Sequence, residues 1–243
     1  MRVEIWSDIA CPWCYVGKAR FEKGLAAFAH REEIEVVHRS FELDPHRAKG
    51  DVEPVVGMLM RKYGRSREEA AAMEEQVAAT ARGEGLPYDT AGRMAGSTFD
   101  VHRLLHLAKA RGRQSELLDL AYRANFAGEG SVYDLESLAR LGVEAGLAEE
   151  EVREVLADAT VYADDVRADE EEAARLGATG VPFFVLDRRY GVSGGQPAEV
   201  FTRALEQAWQ GRALQPLGPA GDDEGAAACG VDGACEAEAP SRP

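Results

Sequence analysis

The amino-acid sequence predicts an α/β fold: a strand–helix–strand opening, a hairpin-and-helix close, and a long all-helical insertion between them. Three observations predict it. Cys11-Pro12-Trp13-Cys14 ends an alternating apolar run and opens a helical pattern. Strand signal is missing from about Asp51 to Gly177. It returns at Pro182 as two short β-favouring runs joined by a polar link.

Taken in order, Val3 to Ser7 reads as the first strand. Pro12 to about His30 follows as a helix, with Val16, Phe21, Leu25 and Phe28 forming its apolar stripe. Ile34 to Phe41 is the second strand, ended by the Asp44-Pro45 turn signal. No Gly-rich phosphate loop joins strand to helix, which excludes a dinucleotide-binding fold.

Helical segments then run through Pro54–Tyr63, Arg67–Arg82, Phe99–Arg111, Ser115–Phe126, Leu135–Ala145, Glu150–Leu156 and Val161–Leu176. Glycines at 64, 83, 85, 112, 128, 130, 146 and 177 punctuate them, as helix ends require. Ser66-Arg67-Glu68-Glu69 is a capping box. Met58, Met60, Met73 and Met94 are expected to fill the core. Pro182 to Leu186 and Tyr190 to Ser193 form the hairpin around Asp187-Arg188-Arg189, and Pro197 to about Trp209 is the closing helix. The organisation expected is one discontinuous domain (1–50 and 178–211), a helical insertion (51–177) and a flexible Cys-containing tail (212–243).

The chain has 243 residues and a formal net charge of −15, which argues against nucleic acid or an anionic membrane as partner. No apolar run approaches the ~18 residues a membrane-spanning helix needs. Met1-Arg2 leads straight into a strand carrying Glu4 and Asp8, so a cytoplasmic location is expected. Structural disulfides are rare there, and a Cys-x-x-Cys is more often catalytic or metal-binding.

Positions i and i+3 share a helix face, with Cα atoms ~5 Å apart, inside the window for an unstrained disulfide. Pro12 suits the first helical position. Cys11 at the helix N-terminus then becomes the attacking nucleophile and Cys14 the resolving thiol. Asp8, three residues earlier, is a candidate proton relay for Cys14, or a cap for the helix. Trp13 between the cysteines is expected to shield the disulfide and touch substrate. His102 and His106, spaced i and i+4, lack the glutamate of an H-E-x-x-H metal motif. Cys229 and Cys235, with five residues between them in the Gly-rich tail, are expected to form a second exchangeable pair. The competing reading is a four-cysteine zinc or redox-sensing module made of Cys11, Cys14, Cys229 and Cys235.

The element order is that of a thioredoxin fold, in which a cis proline opens the first hairpin strand and faces the two cysteines. Val181-Pro182 occupies that place. There the Val181 backbone would pair with an extended substrate segment. Ser7-Asp8-x-x-Cys11-Pro12-Trp13-Cys14-Tyr15-x-Gly17, Phe99-Asp100-x-His102-Arg103-Leu104-Leu105, Gly180-Val181-Pro182-Phe183-Phe184 and Ser193-Gly194-Gly195-Gln196-Pro197 together resemble the DsbA-like branch of the thioredoxin superfamily. The resemblance is to FrnE-type oxidoreductases, near hydroxychromene carboxylate isomerases and kappa-class glutathione transferases, and covers about residues 1 to 210. It implies Cys11 and Cys14 as the redox pair and Pro12, Trp13, Val181 and Pro182 as substrate-facing. It also implies His102 on the helical lid beside the groove. The expected activity is thiol–disulfide exchange or isomerisation on protein or small-molecule disulfides, without metal, with glutathione as a candidate co-substrate, in a monomer or homodimer. The glutathione-dependent isomerases and transferases lack the second cysteine and carry Ser at the first position. This chain keeps both thiols.

Overall fold

The computed structural model describes residues 1–211. β1 (Arg2–Ser7) leads into α1 (Pro12–Ala26), a single 3-10 turn at Arg31–Glu33 and β2 (Glu35–Ser40), which lies parallel to β1 with Val3 opposite Val36 and Ile5 opposite His38. The sequence predicts α1 to about His30, but the helix stops at Ala26. Past that point the chain turns so that Phe28 enters the core and His30 stacks on Trp209 at 4.4 Å.

The insertion carries β3 (Glu53–Pro54), α2 (Val55–Tyr63), α3 (Arg67–Gly83), β4 (Met94–Ala95), α4 (Phe99–Ala110), α5 (Gln114–Phe126), α6 (Leu135–Glu144), α7 (Glu149–Ala157) and α8 (Ala163–Arg175). The β3–β4 ladder is an addition to the all-helical expectation; two residues a side show no period for a sequence pattern to reveal. Ser66 caps α3 as expected, its Oγ accepting from the Glu69 N–H while Glu69 accepts from the Ser66 N–H at 2.8 Å. The four methionines expected in the core are all half-buried instead, because α2, α3 and β4 place them at the rim of the insertion.

β5 (Phe183–Leu186) runs antiparallel to β1, β6 (Tyr190–Ser193) antiparallel to β5, and α9 (Ala198–Gln210) closes the described chain. Among the described residues the sheet order is β2-β1-β5-β6, so β1 is central and buried on both faces. Val3 and Ile5 join Phe21, Phe184, Phe201 and Leu205 on one face, between the sheet and α1 with α9. Trp6 joins Phe183, Val185 and Ala173 of α8 on the other. Each such fully buried side chain contributes about 1.5–3 kcal/mol. Glu4, also buried in β1, is offset by Arg39 and Arg188, each at 2.5 Å.

Two buried polar anchors fix the insertion. Asp169 of α8 accepts from the Ser40 N–H and from Arg39, each at 2.9 Å, and its carbonyl takes the Trp6 indole N–H at 2.7 Å. Arg103 of α4, fully buried, donates from Nη1 to the carbonyls of Val155, Asp158 and Val161. The core of the insertion includes Ile9, Cys11, Cys14, Tyr15 and Val16, so the start of α1 is shared between sheet and helices.

Candidate active site

Local chemistry sets the start of α1. The Asp8 carbonyl accepts the Cys11 N–H at 3.1 Å, and Asp8 Oδ1 accepts the Ala10 N–H at 3.1 Å, an aspartate turn that ends the strand. Cys11 takes the N-cap with φ −85° and ψ 112°, and Pro12 follows at the first helical position, where no N–H is missed. Cys11 and Cys14 are free thiols, exposed by 5% and 1%, while Trp13 between them is 42% exposed.

The Val181–Pro182 peptide bond is cis. The Cys11 Sγ donates to the Val181 carbonyl at 3.8 Å. Two glycines permit this approach of loop to helix. A Cβ on Gly17 would lie 2.9 Å from Pro182 Cγ, and one on Gly195 would lie 3.1 Å from the Trp13 carbonyl oxygen. The Gly194 N–H, at a φ of 77° that favours glycine, donates to the Pro182 carbonyl at 2.8 Å. Val181 is half-buried and Pro182 buried.

Behind the cysteines lies a closed polar cluster. Burial pushes the Cys14 thiol well up, Cys11 adds to the rise, and the Asp8 N–H works against it. Asp8 is 1% exposed. Burial raises its carboxyl, but His102 and the N–H groups of Leu43 and Ala10 together outweigh that, and the net shift is downward. The Leu43 N–H reaches Oδ2 at 2.7 Å and His102 Nε2 stands 3.5 Å from Oδ1. Tyr122 of α5 has a buried hydroxyl without a hydrogen-bond partner; burial, then the charge of Cys14, pushes it far up. Glu42 is buried, and burial lifts its carboxyl although Arg167 bonds it at 2.7 Å.

The structure brings Asp8, Cys11, Cys14, Trp13, Val181 and Pro182 together, and it corrects the reading of His102. That side chain is 1% exposed and meets Asp8, so it faces the buried carboxylate and not the substrate groove. Local sequence misses Tyr122 and Glu42, which arrive from α5 and from the chain after β2 with no motif of their own. Gly17 and Gly195 stand inside motif blocks, but their spacing does not reveal the contact they allow. Among the described residues no cluster of three His, Cys, Asp or Glu is placed to hold a metal ion. Cys229 and Cys235 lie outside the described residues.

The model of the DSBA-like thioredoxin domain matches residues 2–206. The chain belongs to that family. A probable DsbA oxidoreductase from Streptomyces coelicolor superposes on this DsbA-like chain with a TM-score of 0.86 and is 66% identical, covering 98% of this chain and 100% of that one. A 2-hydroxychromene-2-carboxylate isomerase matches at a TM-score of 0.66 and 15% identity, over 88% of this chain and 98% of that one. The cytosolic disulfide reductase DsbM of Pseudomonas aeruginosa, also solved with GSH, matches at 0.59 and 20% identity, over 86% of this chain and 99% of that one. At such identities the last two show a shared fold. Among the described residues no helix is long and apolar enough to cross a membrane.

Proposed function

We propose that this DsbA-like chain is a thiol–disulfide oxidoreductase acting on protein or small-molecule disulfides. The observation that carries the reading is the pair of free thiols at the start of α1 with Cys11 Sγ 3.8 Å from the Val181 carbonyl. The Cys11 thiolate attacks one sulfur of the substrate disulfide and expels the other as a thiolate. Cys14 then attacks Cys11 Sγ, forms the Cys11–Cys14 disulfide and releases the second thiol. The burial that holds Cys14 as a thiol delays this step until a proton acceptor is at hand, and Asp8 fills that role. Trp13 offers an exposed apolar surface, and the backbone of Val181, just before β5, would pair with an extended substrate. In a cytoplasmic setting the couple works as a reductase or isomerase and glutathione returns it to the dithiol, in line with the reductase fold solved with GSH.

The test is trapping. Incubated with a disulfide-bonded peptide, the Cys14→Ser variant accumulates a mixed disulfide at Cys11, read by mass spectrometry, and Cys11→Ser forms none. A peptide adduct at Cys14 in Cys11→Ser, or turnover by that variant, overturns the assignment.

A further inference from the structure

His102 is the buried titratable group that the exchange reaction above leaves without a task. It is 1% exposed, and neither ring nitrogen has a hydrogen-bond partner. A polar ring placed so costs folding free energy unless something else needs it there. Its Nε2 stands 3.5 Å from Asp8 Oδ1, whose carboxylate already accepts from Ala10 and Leu43. The other groups facing this pair are Cys11 and Cys14 from α1, Tyr122 from α5, Tyr133 before α6 and Glu42 after β2. Arg167 and Glu170 of α8 reach the cluster through Glu42, where the guanidinium is already taken. His102 is therefore the basic side chain that answers the buried charge of Asp8.

We propose that His102 is the positioning residue that keeps the Asp8 carboxylate ready to take the Cys14 proton during the resolving step. The proposal rests on the exchange reading of Cys11 and Cys14. In that step the Cys14 S–H proton passes to Asp8 and the Cys14 sulfur attacks Cys11 Sγ. The Cys11–Cys14 bond forms, the bond between Cys11 and the substrate sulfur breaks, and the substrate thiolate leaves with the electron pair. His102 touches no reacting atom. Its ring, 3.5 Å from Oδ1 and shut away from solvent with it, is the partner that holds Asp8 in the form that accepts a proton, because a buried carboxylate without a partner protonates near neutral pH. The downward shift of Asp8, against the pull of burial, agrees with this geometry.

The experiment mixes the reduced full chain with excess of a chromophoric aryl disulfide in a stopped-flow cell. The first thiol released reports Cys11 attack and the second reports the Cys14 step. In His102→Gln the second phase is expected to fall about tenfold at pH 6 and to approach the unmutated rate by pH 9, each pH unit of displaced carboxyl titration giving about tenfold. The first phase changes less than about twofold. In an Asp8→Asn background, adding His102→Gln leaves the second phase where it was. Equal loss in both phases at every pH, or an additive effect in the Asp8→Asn background, overturns the proposal and makes His102 a packing residue. Carbon-13 NMR of labelled aspartate follows Asp8 in the unmutated protein, whatever the variants do. Asp8 ionised at pH 6 supports the pairing and Asp8 protonated there overturns it. Absence of the first phase defeats the exchange reading, a result the NMR titration keeps separate from the state of the Asp8–His102 pair.

Discussion

Two histidines one turn apart on α4 each meet a buried aspartate, and the two pairs differ in what surrounds them. His106 Nε2 lies 3.1 Å from Ser40 Oγ and 3.3 Å from Asp169 Oδ2, and the same aspartate is tied to Arg39 and the Ser40 N–H. Its ring also stacks on Tyr162. His102 stands 3.5 Å from the Asp8 carboxylate and has no hydrogen bond. The first pair is a closed lock between β2, α4 and α8. The second is left with proton-carrying capacity beside the cysteines. Side-chain type and helical spacing are identical in the two; what differs is how many donors and acceptors the surrounding elements supply. A satisfied network holds structure, whereas an unsatisfied one beside a buried thiol is available for chemistry.

The largest effect expected away from the cysteines comes from opening the lock. Asp169→Ala strips Arg39, His106 and the Ser40 N–H of their common acceptor, and a buried pair broken on one side costs about 3–5 kcal/mol. Urea unfolding reads the loss. The pH profile of the second thiol-release phase should keep its shape, since Asp169 bonds none of the groups around Cys14. A changed profile with unchanged stability would exchange the roles of the two pairs.

Much of this comparison is legible in the sequence up to a point. The order of strands and helices follows from periodicity and turn signals, and every long helix of the insertion lies within a few residues of its predicted bounds. Cys11-Pro12-Trp13-Cys14 and Val181-Pro182 stand out because each is one continuous string with a mechanical reason for every residue. The Asp8–His102 contact is different. It joins residues ninety-four positions apart, through the angle at which α4 crosses the end of β1, and neither residue is unusual where it stands. Its role can be read only from what is missing around His102, namely hydrogen-bond partners, and no sequence pattern records a missing partner. The half-buried methionines teach the same lesson in reverse, since composition marks them as apolar but not which rim they occupy.

His38 sharpens the comparison as a buried histidine with no acid beside it. Burial, aided by the charge of Lys18, lowers it from 6.5 to about 3. The folded protein therefore holds it neutral while the unfolded chain takes up a proton below pH 6.5, so acid favours unfolding across that window. Between pH 7 and pH 5 the loss is about 2 kcal/mol at 1.36 kcal/mol per unit. His38→Leu should flatten this part of the stability curve, measured by urea midpoints at the two pH values. An equally steep curve in the variant would place the acid sensitivity in another group.

The smallest expected effect separates the active-site loop from the frame that carries it. Gly17→Ala adds one methyl group inside α1, aimed 2.9 Å from Pro182 Cγ and 3.2 Å from the Gly195 Cα. Two contributions to stability oppose each other. Alanine in a helix interior gains roughly 0.5–1 kcal/mol over glycine, and overpacking costs about 1–3 kcal/mol. The net loss should be about 1 kcal/mol, because the proline ring cannot rotate aside and the loop must move as a body. Function should suffer more than stability. The displaced loop carries the Val181 carbonyl away from its 3.8 Å contact with Cys11, so the first thiol-release phase slows several-fold while the pH dependence of the second is retained. That pattern is the reverse of the one expected for His102→Gln, which spares the first phase and bends the second. A Gly17→Ala protein that is more stable and equally fast would show that the loop tolerates the methyl group, and that the approach of Pro182 to α1 is not what sets the reach of Cys11.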